Sequence, residues 1–210
     1  MTGILFDLDG TLLDTLQDLA DAVNHSLRFH GYPARTLPEI RRFIGNGAAS
    51  LIAQSVPEGV DSKPVLETFR PYYQAHSLDI TAPYPGILEA LERIRETYPI
   101  AIVSNKPDPA VKTLCAKFFP GVFALGETPD CPRKPAPDML YKAMAALGID
   151  KFVYVGDSEG DVTTAHNASA PCISVLWGFR DEAELRAAGA DYVCYRVSDL
   201  PQLIDQAAQL

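Results

Sequence analysis

The feature that most constrains this chain is a short apolar run that occurs three times and each time ends in polar residues. Ile4-Leu5-Phe6 ends at Asp7, Ile100-Ala101-Ile102-Val103 ends at Ser104, and Phe152-Val153-Tyr154-Val155 ends at Gly156-Asp157. A run without polar alternation suits a strand buried on both faces, which is the condition of a parallel sheet. Weaker runs of the same kind lie at 122–125, 172–175 and 192–194. Between the runs the pattern turns helical. Ile87, Leu88, Leu91 and Ile94 repeat at helical spacing, 138–147 stops at Gly148, and 181–188 stops at Gly189. Strands alternating with helices predict an α/β fold, a doubly wound (Rossmann-like) parallel sheet. Such sheets bind ligands at the carboxyl ends of their strands. All three polar tips fall there.

Residues 14–82 follow a different pattern. Leu16, Leu19, Ala20, Val23 and Leu27 form one helical stripe closed by Gly31, and 38–44, 48–55 and 64–77 read as further helices. The segment holds no convincing strand, and the alternation resumes only after Pro83-Tyr84-Pro85-Gly86. The expected organisation is an α/β core of residues 1–13 and 83–210, interrupted by a helical cap domain of residues 14–82. The peptides near Asp14 and Pro83 would be the hinges.

Charge and composition then exclude classes of function. Lys and Arg number 18 against 27 Asp and Glu, a net charge of −9. A nucleic-acid binder needs a basic face, so none is expected as a partner. A small anion remains compatible, because a local cation cluster overrides the mean field. No stretch approaches the roughly 18 consecutive apolar residues of a membrane span, and no basic segment leads into a long apolar one. The expectation is a cytoplasmic protein with no membrane partner, acting as monomer or homodimer. Cys115, Cys131, Cys172 and Cys194 form no C-x-x-C pair, which argues against zinc. Cys172 and Cys194 read as core residues, and Cys131, in a Pro-rich loop, as exposed.

The polar tips carry the chemistry. In Asp7-Leu8-Asp9-Gly10-Thr11, two carboxylates two residues apart on a strand end point to the same side. They repel unless a cation compensates them. Gly10 permits a tight turn and close approach of its N–H to an anion. Ser104-Asn105-Lys106 offers a hydroxyl, an amide and backbone N–H groups at a strand-to-helix junction, a phosphate cradle. Lys134, followed by Pro135 and Pro137, stands before a helix start, where its charge can neutralise a phosphoryl group and a carboxylate. Gly156-Asp157-Ser158-Glu159-Gly160-Asp161 supplies acids after a buried strand, suited to the oxygen coordination of Mg²⁺. Each signal alone has a structural explanation as a turn, a helix cap or a solvated lysine. Their joint occurrence, in this order at one end of a sheet, is the specific observation.

These four segments resemble the four motifs of the haloacid dehalogenase superfamily, over nearly the whole chain. The resemblance implies that Asp7 is a nucleophile and Asp9 a general acid/base. It also implies that Ser104 and Lys134 bind phosphate, with Gly10, Thr11 and Asn105 of the same motifs beside them. Mg²⁺ would be held by Asp7, Asp157 and the Asp9 carbonyl, with Asp161 in support. Members that dehalogenate lack the second aspartate, so phosphoryl transfer is expected. Ser104-Asn105-Lys106-Pro107 and the Ile44-Gly45-Asn46-Gly47 loop resemble the phosphoglycolate phosphatase group, which implies a small phosphorylated metabolite, 2-phosphoglycolate, as substrate and Asn46 as a substrate-binding residue. A phosphomutase, a pyrophosphatase or nucleotidase, and a catalytically silent interaction protein are the alternatives.

Overall fold

The computed structural model describes residues 1–209. The chain begins with β1 (Thr2–Phe6) and β2 (Leu13–Asp14), followed by four helices, α1 (Leu16–Phe29), α2 (Leu37–Phe43), α3 (Gly47–Ser55) and α4 (Lys63–His76). Then come β3 (Ala82–Pro83), α5 (Ile87–Arg95), β4 (Ile100–Pro107), α6 (Asp108–Phe118), β5 (Phe123–Glu127) and α7 (Asp138–Leu147). The chain continues through β6 (Lys151–Gly156), α8 (Glu159–Asn167), β7 (Cys172–Val175), α9 (Glu182–Ala187), β8 (Tyr192–Cys194), a 3₁₀ turn at Val197–Asp199 and α10 (Leu200–Ala208).

Six strands form one parallel sheet in the order β5-β4-β1-β6-β7-β8. The first strand is therefore central. Ile4 sits opposite Ile100 on one side and Val153 on the other. Alternate residues of β1 feed two cores. Ile4 and Phe6 pack with Ile87, Leu91, Val111, Leu114 and Ile204 from α5, α6 and α10. Leu5 packs with Met139, Leu140, Val162 and Ala165 from α7 and α8. Both faces are covered, which is why the strands read as continuous apolar runs. The doubly wound parallel sheet is as expected. It places the carboxyl ends of β4, β1 and β6 side by side where the strand order reverses.

The helices α1 to α4 bury a cluster of their own, including Leu19, Val23, Leu27, Ile40, Ile52, Val65 and Phe69. Ala110 and Phe179, from α6 and the loop after β7, join it. Helix α2 begins with a capping box in which Thr36 and Glu39 satisfy each other's backbone N–H. Asp18 is buried within the apolar stripe of α1, and its carboxylate accepts from the Ile80 and Thr81 N–H groups, tying α1 to the returning chain.

Three local expectations are corrected. The segment from Asp14 to Ala82 is not strandless at its ends: β2 and β3 pair antiparallel, Leu13 with Pro83 and Asp14 with Ala82. Two-residue strands, one of them containing Pro83, leave no hydrophobic run to detect. Strand β4 continues past Ser104 to Pro107, because its register with β5 shifts between Val103 and Pro107. Cys131 is buried against the α7 side of the sheet, where the Thr128–Cys131 bridge folds its loop inward. All four cysteines are buried and unpaired. Among the described residues, no helix is long and apolar enough to cross a membrane.

Candidate active site

The ends of β1, β4 and β6 bring the predicted residues together. Asp7 follows β1, and its N–H continues the ladder to the Val155 carbonyl at 2.8 Å. Its Oδ1 forms a 2.9 Å ion pair with Lys134 Nζ and has no other donor. Lys134 reaches in from the loop before α7. Its Nζ donates to Asp161 Oδ1 at 2.7 Å and to the Tyr154 hydroxyl at 2.8 Å. The buried lysine is thus compensated twice, and Asp161 and Asp7 hold its pKa above the ordinary value against the effect of burial.

Asp161 is occupied by the protein itself. Oδ2 accepts from the Asp157 N–H, the Ser158 N–H and the Ser158 hydroxyl, while Oδ1 accepts from Lys134 and the Tyr154 hydroxyl. Burial opposes its ionisation, but Lys134 and the Ser158 donors outweigh burial and keep its pKa below the ordinary carboxylate value. Asp7 shares Lys134 with Asp161 and has no such set of donors, and Asp157 accepts from neutral groups alone. Burial, resisted by Lys134 and reinforced by Asp161 and Asp9, raises Asp7 to about 7. Burial followed by the charges of Asp161 and Asp7 pushes Asp157 well above the ordinary range.

Carboxylate oxygens of Asp7, Asp157 and Asp161 lie within 4.8 Å of one another. With Asp161 internally satisfied, Asp7 and Asp157 are two buried acids short of positive charge. That donor set suits a hard divalent cation with oxygen ligands. Asp157 is also fixed in place: Oδ2 accepts from the Phe179 N–H at 2.7 Å, and Oδ1 lies 3.4 Å from the Thr11 hydroxyl. Gly10 makes room for it. A Cβ on Gly10 would stand 2.2 Å from Asp157 Oδ2, and its φ of +78° favours glycine independently.

Asp9, Asp7, Ser104 and Asp157 line one cavity of about 40 Å³ between the sheet tips and α1, α3 and α4. That volume has room for roughly three waters. Asp9 Oδ1 accepts from Thr15 at 2.7 Å and lies 3.1 Å from Lys106 Nζ.

Several predicted residues are placed differently from their expected roles. The Gly10 N–H is used within its own turn, donating to the Leu13 carbonyl at 2.9 Å. Thr11 is buried beside Asp157 and does not line the cavity. Asn105 touches the cavity, but its amide is engaged: Nδ2 donates to the carbonyls of Gly45 and Lys134, and Oδ1 accepts the Lys134 N–H. It acts as a strut that holds Lys134 and the 45–47 loop. Asn46 is exposed and lies outside the lining, with its Oδ1 4.0 Å from where a Cβ on Gly160 would sit. Gly45 and Gly47, at φ of +126° and +78°, turn their backbones inward instead.

Sequence reasoning missed Lys106, Tyr73, Arg41 and Arg180. Lys106 belongs to the Ser104-Asn105-Lys106 tip, where its residue type alone does not tell a solvated lysine from a buried one. Tyr73 looked like an ordinary core residue of α4. The two arginines form a reciprocal clasp. Arg180 donates to the carbonyls of Arg41, Arg42 and Ile44, and Arg41 donates to those of Gly178 and Phe179. Nothing in local sequence pairs them.

Residues 4–175 match the haloacid dehalogenase-like hydrolases. The phosphoglycolate phosphatase of Cereibacter sphaeroides is 36% identical over 192 residues, covering 86% of this chain and 87% of that protein. That of Vibrio vulnificus is 31% identical over 219 residues, covering 96% and 94%. A Lactobacillus delbrueckii protein provisionally assigned as a phosphoglycolate phosphatase superposes with a TM-score of 0.90 at 37% identity, covering 96% and 97%. The chain belongs to the haloacid dehalogenase-like hydrolase family. Within it, the chain is an enzyme of the phosphatase type, akin to those named phosphoglycolate phosphatases.

Proposed function

We propose that the chain is a Mg²⁺-dependent phosphatase that hydrolyses a small phosphate monoester, with 2-phosphoglycolate the favoured substrate, through a phosphorylated Asp7. One observation carries this reading. Asp7, Asp9, Ser104 and Asp157 share one small cavity, and Lys134 stands 2.9 Å from Asp7. The names of the relatives support a small ester.

Asp7 attacks phosphorus, and the ester P–O bond breaks as the Asp7–phosphorus linkage forms. Asp9 gives its proton to the departing oxygen, then takes one from the water that attacks the phosphorylated Asp7 and releases phosphate. The Ser104 hydroxyl and Lys134 stabilise charge on the phosphoryl oxygens. Thr15 orients the Asp9 carboxylate. Asp7, Asp157 and the Asp9 carbonyl would hold Mg²⁺, which when bound neutralises phosphoryl charge. Asp161 positions Lys134 and caps α8. Residues 14–82 act as a cap domain that excludes water from the reaction. The backbone of Gly45 and Gly47, which lines the cavity, faces the substrate.

The test is phosphate release from a panel of small esters, sugar phosphates, nucleotides and pyrophosphate with Mg²⁺, beside Asp7→Asn. The expected result is fastest release from 2-phosphoglycolate and a loss of about 10³-fold or more in the variant. Activity retained by Asp7→Asn overturns the covalent route. No release from any compound overturns the phosphatase reading.

A further inference from the structure

The cavity contains a second polar corner that the phosphoryl chemistry does not use. Lys106 comes from the end of β4 and Tyr73 from α4, and both side chains are almost wholly buried. Lys106 Nζ donates to the Tyr73 hydroxyl at 2.7 Å and lies 3.1 Å from Asp9 Oδ1. An ammonium has three donors, and these two partners leave one unassigned. The phenol oxygen accepts from Lys106, so its own proton remains available to a further acceptor. Burial keeps that proton on, raising Tyr73 to about 12. The corner therefore presents an N–H and an O–H, side by side, on the wall of the cavity.

The surroundings define what such a pair would meet. The neighbouring walls are apolar, formed by Leu19, Ala48, Leu51 and Phe69. The other lining cation, Arg180, is committed to Glu159 and to the carbonyls of Arg41, Arg42 and Ile44. Lys134 serves Asp7 and Asp161. Lys106 is thus the lining cation whose head group faces a carboxylate and a phenol rather than a set of backbone carbonyls. It stands beside Asp9, the group that protonates the departing oxygen in the proposed reaction, so it is next to the leaving group and not the phosphoryl group. Two converging donors, one of them charged, match a carboxylate.

We infer that Lys106 and Tyr73 form a carboxylate-reading subsite, which selects phosphate esters whose leaving group carries a carboxylate one or two carbons from the ester oxygen. This rests on the phosphatase reading and deepens it, because it assigns specificity to a pair contributed by β4 and α4 together. Lys106 exchanges part of its interaction with Asp9 for the substrate carboxylate, and Tyr73 donates the second hydrogen bond. An ester of the same size without a carboxylate leaves both donors unmatched in a buried corner, which is the condition under which a polar site discriminates strongly.

The experiment compares 2-phosphoglycolate with isobutyl phosphate, a near-isosteric ester lacking the carboxylate, in the wild type, Lys106→Met and Tyr73→Phe. The readout is the ratio of kcat/KM for the two esters. The wild type is expected to favour 2-phosphoglycolate, and Lys106→Met to reduce that ratio by about 10- to 100-fold, with the change mainly in KM. Tyr73→Phe, which removes a single hydroxyl, is expected to reduce it by about 3- to 10-fold. If Lys106 served only as a counter-ion for Asp9, both esters would slow by the same factor in the variant, and an unchanged ratio in both variants overturns the inference. Calorimetric binding of the two esters to the Asp7→Asn protein, with and without Lys106→Met, needs no turnover. It separates the two proposals: no phosphate release by the wild type defeats the phosphatase reading, whereas equal affinity for the two esters defeats the subsite.

Discussion

Asp7 is buried beside Asp157, Asp161 and Asp9 and is raised from an ordinary 3.8 to about 7. The sign of its effect on stability follows directly. Between those two values the native protein holds a proton that the unfolded chain has released, so unfolding releases a proton and stability falls as pH rises. Above about pH 7 both states are ionised and the contribution is level. At about 1.4 kcal/mol per pH unit, the displacement from 3.8 to about 7 corresponds to roughly 4 kcal/mol. Asp157 is displaced in the same direction and adds to the slope. Asp161 is displaced the other way, and its stabilising effect is complete once the pH exceeds the ordinary carboxylate value.

The metal-free protein is therefore expected to lose thermal stability between pH 4.5 and 7.5. Asp7→Asn removes the charge while leaving Lys134 paired with Asp161 at 2.7 Å. In EDTA the variant is expected to melt on the order of 10 °C above the wild type at pH 7.5, and close to it at pH 4.5. Adding Mg²⁺ at pH 7.5 should raise the wild-type Tm and move the variant less. The measurement is thermal unfolding across that range, with and without Mg²⁺. One residue changes the net charge of −9 by a single unit, so general charge repulsion is nearly common to both proteins. Parallel pH profiles for wild type and variant in EDTA would refute the reasoning.

Two further outcomes follow from the site geometry. Gly10→Ala places a Cβ 2.2 Å from Asp157 Oδ2 at a φ of +78°, so it should destabilise the fold by about 1–3 kcal/mol and weaken Mg²⁺ binding, read by denaturant unfolding and metal titration. Asn105→Ala removes the side chain that bonds the Lys134 N–H and the carbonyls of Lys134 and Gly45. It should cost about 2 kcal/mol and reduce kcat for phosphate release by ~10-fold or more, with denaturant unfolding separating the two effects.

The strands were legible in the sequence because burial on both faces leaves no polar alternation, and Ile4-Leu5-Phe6 is such a run. The helices of 14–82 were legible from their apolar spacing, down to the stripe of α1. The convergence of Asp7, Asp9, Ser104, Lys134 and Asp157 was legible because each lies in or beside a polar segment that follows an apolar strand run or leads into a helix, where local pattern and topology agree. The contacts of Asn46 and Asn105 were not legible, since nothing local says whether an amide faces a ligand or braces a backbone. Cys131 and the β2–β3 pair were misread because short, proline-bearing segments carry no periodic signal.

By itself, then, the sequence determined the α/β sheet, the helical segment within it and the acids, hydroxyl and lysine at the strand tips, because these depend on local hydrophobic period and chain order. Tertiary structure alone decided what those groups touch. It set Lys134 between Asp161 and Asp7, placed Gly10 against Asp157 and brought Tyr73 of α4 onto Lys106 of β4. Such contacts join residues tens of positions apart, and their energies depend on burial and distance, which no local window of sequence contains.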